Sequence, residues 1–174
     1  MESIYRSTFD YVIGIDPGMN GGMAAFNSNK TMVRKNSREL EGMIDTFLDF
    51  RELGKNPFVV IEIVQHNNRD FDVPGKFYGM QKLFNHYHLL MNAVKYMGIP
   101  FLGVHPVTWQ KELHLRKKGK EDDKERKNRY KDAAQAAFKD VKVTLWNSDA
   151  LLLAAYGAKK FTNQREWLLN KLNK

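Results

Sequence analysis

The chain has 174 residues, enough for one domain with a sizeable core, and its 43% hydrophobic and 28% charged content is that of a folded rather than a disordered chain. It contains no cysteine, which excludes a disulfide framework and a thiolate metal site, and its net charge of +8 points to polyanionic partners. The first residues lack the basic-then-apolar layout of a signal peptide, and no apolar stretch approaches the ~20 residues of a membrane span. A soluble, cytoplasmic protein is therefore expected.

The first predicted strand, Tyr11-Val12-Ile13-Gly14-Ile15, runs into Asp16 and the turn Pro17-Gly18-Met19-Asn20-Gly21-Gly22. Pro17 and Gly18 stop the strand, and Gly21-Gly22 are expected to allow positive φ and close approach of a ligand or a neighbouring strand. Asp16 is thus a carboxylate at the tip of a buried strand, placed either to bind a metal ion or simply to end its strand. Further strands are predicted at Met23-Ala24-Ala25-Phe26 and Thr31-Met32-Val33-Arg34. A helix follows over 38–50, N-capped by Ser37, with Leu40, Met43, Ile44, Phe47 and Leu48 at helical spacing. Phe58-Val59-Val60-Ile61-Glu62-Ile63-Val64 is an unbroken apolar run around one carboxylate, the pattern of a strand covered on both faces. Burying an unpaired carboxylate costs on the order of several kcal/mol, so Glu62 requires a basic partner or a metal ion.

A polar loop over 65–74, carrying Arg69 and Phe71, leads to the longest predicted helix, 75–97. That helix is apolar on more than one face and is either deep in the core or covered by a partner. The strand Phe101-Leu102-Gly103-Val104 comes next. From Lys111 to Lys131 there are ten Lys and Arg against five Asp and Glu. Its loop-like stretch, Arg116-Lys117-Lys118-Gly119-Lys120, is expected to track a phosphate backbone, the alternative being a solvated surface of mixed charge. A helix over 124–138 and a short strand over 141–145 follow. Then comes a helix opened by Asn147 or Ser148 with Asp149 in its first turn, where the helix dipole alone would favour an acid. A short amphipathic helix is expected over 161–174. None of the five histidines has ligand spacing, and all read as structural or surface residues. The elements form an α/β fold, a five-stranded mixed sheet flanked by helices, in a single domain with its core over 11–160.

Three segments in this order carry a resemblance: Gly14-Ile15-Asp16-Pro17-Gly18 with Gly21-Gly22, then Val60-Ile61-Glu62, then Ser148-Asp149-Ala150-Leu151-Leu152-Leu153-Ala154. Together they resemble the RuvC-type Holliday-junction resolvases of the ribonuclease H-like superfamily. The last segment, ending in Ala-Tyr-Gly before Lys159-Lys160, looks most like the phage-encoded branch. The resemblance implies a ribonuclease H-like fold and a metal-dependent, structure-selective endonuclease that resolves four-way junctions by paired cuts in opposed strands. Its setting would be a bacterial or phage-infected cytosol. It implies that Asp16, Glu62 and Asp149 hold Mg²⁺ or Mn²⁺, two ions roughly 3.5–4 Å apart, with Asp16 bridging them. Lys111, in Pro106-Val107-Thr108-Trp109-Gln110-Lys111, is implied to contact the scissile phosphate, with Lys124 or Lys127 as a second contact. The helix over 75–97 is implied to form a two-fold homodimer. Phe71, beside Arg69, either wedges between base pairs or anchors its loop.

The chain also departs from that pattern. The resolvases usually carry a fourth carboxylate three or four residues before the helix-opening acid, where this chain has Trp146 and Leu145. Asn147 could offer a neutral carbonyl oxygen instead. Two other readings stay open: a junction-binding protein that does not cut, and a related nuclease acting on flaps, forks or hybrids. An ATP-using protein of the actin and sugar-kinase kind shares an Asp before a Gly-rich hairpin. It needs two such lobes, and no second Gly-rich phosphate loop is present in the sequence.

Overall fold

A computed structural model describes residues 9–65, 75–117, 119 and 121–161. Arg69, Phe71, Lys118 and Lys120 lie outside the described residues, as does the helix expected after Phe161. Five strands form one sheet: β1 (Tyr11–Ile15), β2 (Gly22–Phe26), β3 (Thr31–Lys35), β4 (Pro57–Glu62) and β5 (Phe101–Val104), in the order β3-β2-β1-β4-β5. The first three are antiparallel neighbours, whereas β1–β4 and β4–β5 are parallel. The helices are α1 (Leu40–Phe50), α2 (Lys76–Tyr96), α3 (Pro106–Glu112), α4 (Asp123–Ala137) and α5 (Ser148–Phe161). This is the mixed α/β sheet flanked by helices that the apolar runs predict. Among the described residues, no helix is long and apolar enough to cross a membrane.

The sheet buries both faces. Val12, Ala24, Phe26 and Val60 pack on the side of α4 and α5, while Tyr11, Ile13, Ile15, Val59 and Ile61 pack on the side of α1 and α2. Successive side chains of a strand alternate between faces. Continuing that alternation, Asp16 falls on the face of Val12 and Gly14, and Glu62 falls on the face of Val60. The parallel register pairs Gly14 with Val60 and Ile15 with Ile61, so the two carboxylates leave adjacent strands side by side on the α5 face.

Gly14 sets how closely α5 lies on β1. A Cβ there would stand 2.0 Å from the Ala150 carbonyl oxygen and 2.3 Å from the Ala154 nitrogen, so the helix backbone rests directly on the strand. The small residues Ala150, Ala154 and Ala155 on α5 serve the same contact and are fully buried. Gly14→Ala must push α5 away, and is expected to cost about 3 kcal/mol, the upper end of overpacking penalties. Urea denaturation measures this; a loss under ~1 kcal/mol, the low end of that range, would show that the helix is not held by this approach.

Several expectations need correction. Residues 141–145 form no strand. Gln135 on α4 donates to the Phe138 and Val141 carbonyls and accepts from the Val143 N–H, taking the groups a ladder would need. Helix α1 starts at Leu40, with Glu39 rather than Ser37 at its cap, although the Ser37 hydroxyl accepts from the Glu39 N–H at 3.1 Å. Residues 106–112 form a helix, α3, begun by Pro106 where a missing N–H is harmless. Neither Gly21 nor Gly22 takes positive φ. Gly21 is instead needed for space, because a Cβ there would lie 2.6 Å from Asp16 Oδ2.

Candidate active site

Asp16 is held from several sides. Its Oδ1 accepts the Gly18 N–H at 3.1 Å, and its own carbonyl accepts Asn36 Nδ2 at 2.6 Å. The next carbonyl, of Pro17, lies 2.7 Å from Nδ1 of the buried His86 on α2, whose Nε2 is 2.9 Å from the Ser37 carbonyl. The ring thus sits between the turn after β1 and the loop before α1 and ties them together. His86 is buried, and both of its ring nitrogens are taken up by backbone carbonyls.

Among the described residues, neither a lysine nor an arginine forms an ion pair with Glu62. Its Oε2 accepts the indole Nε1–H of Trp109 at 2.7 Å, from a ring that is fully buried in α3. Asp149, in the first turn of α5, accepts the Ser148 hydroxyl at 3.0 Å. All three carboxyl groups are partly buried, and burial is the main force raising their pKa values. Glu62 is pushed up to about 7, by burial first and then by the charges of Asp16 and Asp149, against the Trp109 hydrogen bond. Asp149 is raised to about 6 by burial and by Asp16, with the Ser148 hydroxyl, Arg126 and Lys127 opposing. Asp16 is raised by burial against the Gly18 N–H, His86 and Lys127. The Asp16 charge thus raises both Glu62 and Asp149, and the Asp149 charge adds to the rise of Glu62.

That donor set fits a hard divalent cation. It is all oxygen and crowded with negative charge, and among the described residues no ion pair neutralises it. The three are near neighbours rather than a preformed cage, since no metal-ready group of His, Cys, Asp and Glu is found among the described residues. Asn147 is not a replacement ligand. It is buried, its Oδ1 accepts the Thr144 N–H at 2.7 Å, and its Nδ2 donates to the Lys142 carbonyl at 3.2 Å.

Among the described residues, the lysine and arginine that act on the carboxylates are on α4. Lys127 lines the cleft that contains Asp16 and Asp149, and Arg126 acts on Glu62 and Asp149. Lys124, on the same helix, is exposed. Lys111 is exposed in the last turn of α3, two residues from Trp109 and so about 200° around the helix from it. Arg116 is exposed, whereas Lys117 pairs with Glu121 at 3.7 Å. Arg129 pairs with the same Glu121 at 2.5 Å and donates to the Leu115 carbonyl, fastening the basic loop to α4. Part of the basic segment is thus internally paired, as the mixed-charge alternative held.

Two solved structures share this architecture. Thermus thermophilus RuvC superposes with a TM-score of 0.52 at 17% identity, covering 86% of this chain and 95% of that one. The fold is RuvC-like. RuvC of the same organism in complex with a Holliday junction substrate gives a TM-score of 0.50, also at 17% identity, with 86% and 94% covered. No protein-family model and no curated protein sequence matches the chain.

Within this RuvC-like frame, Trp109 is the site residue that sequence reasoning missed. The signal was present: a buried indole needs an acceptor, and a carboxylate in an apolar strand needs a donor. Trp109→Phe removes that donor. The Glu62 titration, followed by NMR in the metal-free protein, should then move above about 7. An unmoved titration would mean that the hydrogen bond contributes nothing to the ionised form.

Proposed function

We propose that the protein is a metal-dependent, structure-selective endonuclease that nicks branched DNA and resolves four-way junctions by paired cuts in opposed strands. The observation that carries this reading is the meeting of three carboxylates from β1, β4 and α5 on one face of a RuvC-like sheet, with Asp16 raising the pKa of both Glu62 and Asp149. The neighbour bound to a Holliday junction substrate supports the choice of branched DNA.

Asp16, Glu62 and Asp149 would hold Mg²⁺ or Mn²⁺, which when bound supplies an activated water and stabilises the leaving oxygen of a phosphodiester. The protein's own residues do the rest. Trp109 fixes the Glu62 carboxylate in its ionised orientation, and the Gly18 N–H fixes Asp16. Lys127 offers positive charge at the cleft for the phosphate, with Arg126 behind it. Lys111, Arg116 and Lys124, all exposed, would contact the backbone further along. A homodimer along α2, which exposes Tyr78 and Tyr96 (62% and 75%), would set two such sites against two opposed strands.

A second reading, a junction-binding protein that does not cut, is favoured by one observation. Trp146 and Leu145 stand where resolvases usually carry a fourth carboxylate, and Asn147 is engaged elsewhere. A synthetic four-way junction labelled on each strand, incubated with and without Mg²⁺ and Mn²⁺, separates the two. Metal-dependent paired nicks are the expected result. Tight binding with no nick under either metal would overturn the enzyme and leave the binding protein.

A further inference from the structure

Leu145 and Trp146 are placed with unusual care for residues on a loop. The backbone around them is fixed by the Gln135 and Asn147 side chains, which bond groups of Val141, Lys142, Val143 and Thr144. The Trp146 ring lies against β2 where only a glycine leaves room. A Cβ on Gly22 would stand 2.7 Å from ring carbon Cζ3 and 2.8 Å from Cε3. Lys35 brings its ammonium to 5.8 Å from the ring centroid, within cation–π range. Leu145, next to it, is 55% exposed. A lone exposed leucine needs no explanation. This one shares a cleft of about 420 Å³ with Trp146, Lys127 and two of the three carboxylates, Asp16 and Asp149.

We propose that Leu145 and Trp146 form a seat for a single unstacked nucleobase of the strand whose phosphate lies at the carboxylates, and that this seat favours branched over continuous DNA. The inference rests on the endonuclease reading of the same cleft. A phosphate between Lys127 and the carboxylates places its own nucleotide's base within reach of the adjoining apolar wall. The cleft volume is in the range of sites that enclose small planar ligands. An aromatic side chain stacks on the π face that every base carries, without regard to sequence, and an aliphatic neighbour adds apolar contact. In continuous duplex the bases are stacked and paired, and extruding one carries an unstacking cost. At a branch point that cost is reduced, which supplies the discrimination.

The test uses the full chain carrying Asp16→Asn, so that the DNA stays intact. It uses four-way junctions in which 2-aminopurine replaces one base at a time around the branch point. Binding should change the emission at one or two positions. That change should disappear with Trp146→Ala and persist with Trp146→Phe. Trp146→Ala should also weaken junction binding about 5- to 150-fold, the range for losing one stacked base, while binding of continuous duplex is unchanged. Leu145→Ser alters an exposed position and leaves the fold intact, so it must show a smaller loss of the same junction-selective kind. Emission that ignores Trp146 at every position overturns the seat. So does an equal loss for junction and duplex, or unchanged discrimination in Leu145→Ser, even if Trp146→Ala does not fold. The nuclease reading fails separately, if the wild-type chain binds junctions and never nicks them, because the fluorescence arm needs binding alone.

Discussion

Asp16→Asn is expected to abolish junction nicking, by about 10³-fold or more, the scale of losing a group that stabilises transition-state charge. Asp16 is singled out by its position. Its charge raises the pKa of both Glu62 and Asp149, so it is the carboxylate common to the cluster. Its side chain is confined by the Gly18 N–H on Oδ1 and by the absence of a side chain at Gly21 beside Oδ2. Asparagine keeps that shape and removes only the charge, so the loss reports ion binding rather than collapse of the turn. The sign of the DNA affinity provides the control. Without divalent metal the three carboxylates repel a phosphate, so removing one should leave junction binding equal or tighter in a fluorescence anisotropy titration. Weaker metal-free binding would mean that Asp16 serves the fold and not the metal.

The sheet was legible because its signals are local. Unbroken apolar runs at 11–15 and 58–61 can be buried only between two layers, and the Gly-rich turn after Asp16 makes an antiparallel partner the short path. The three acids stood out because each ends, interrupts or opens an apolar segment. What escaped reading depends on contacts between distant residues. Val141, Val143 and Thr144 have strand propensity, yet the Gln135 amide competes for their backbone groups, and nothing near 141 announces that. Trp109 looks like any core aromatic until β4 places Glu62 within 2.7 Å of its nitrogen. Asn147 looks like a helix cap or a spare ligand, but its amide points back to Thr144 and Lys142 and closes the loop that carries Trp146. Side-chain bonds to backbone decide these cases, and they are set by tertiary position rather than by neighbouring residues.

The same crowding of charge that suits a cation should cost the metal-free protein stability, and Asp149→Asn should recover it. Asp149 has a folded pKa of about 6 against an ordinary value of 3.8. The folded state therefore holds its proton more tightly than the unfolded chain. Stability from this group falls as pH rises from about 4 to about 6, and is level above that. The shift corresponds to roughly 3 kcal/mol, or about 2 kcal/mol once its partial exposure is allowed for. The α5 dipole favours an ionised acid in the first turn by only about 0.3–1 kcal/mol, too little to reverse the sign. Asparagine keeps the acceptor for the Ser148 hydroxyl and carries no charge. At pH 8 in chelator, Asp149→Asn should melt about 4–8 °C above the wild type, and at pH 4 the two should coincide. Adding Mg²⁺ or Mn²⁺ at pH 8 should raise the wild-type Tm and narrow that gap, because an ion bound only by the folded state supplies the missing positive charge. If the variant melts no higher than the wild type at pH 8 without metal, the carboxylates are not in electrostatic conflict, and the case for a cation site on β1, β4 and α5 fails with them.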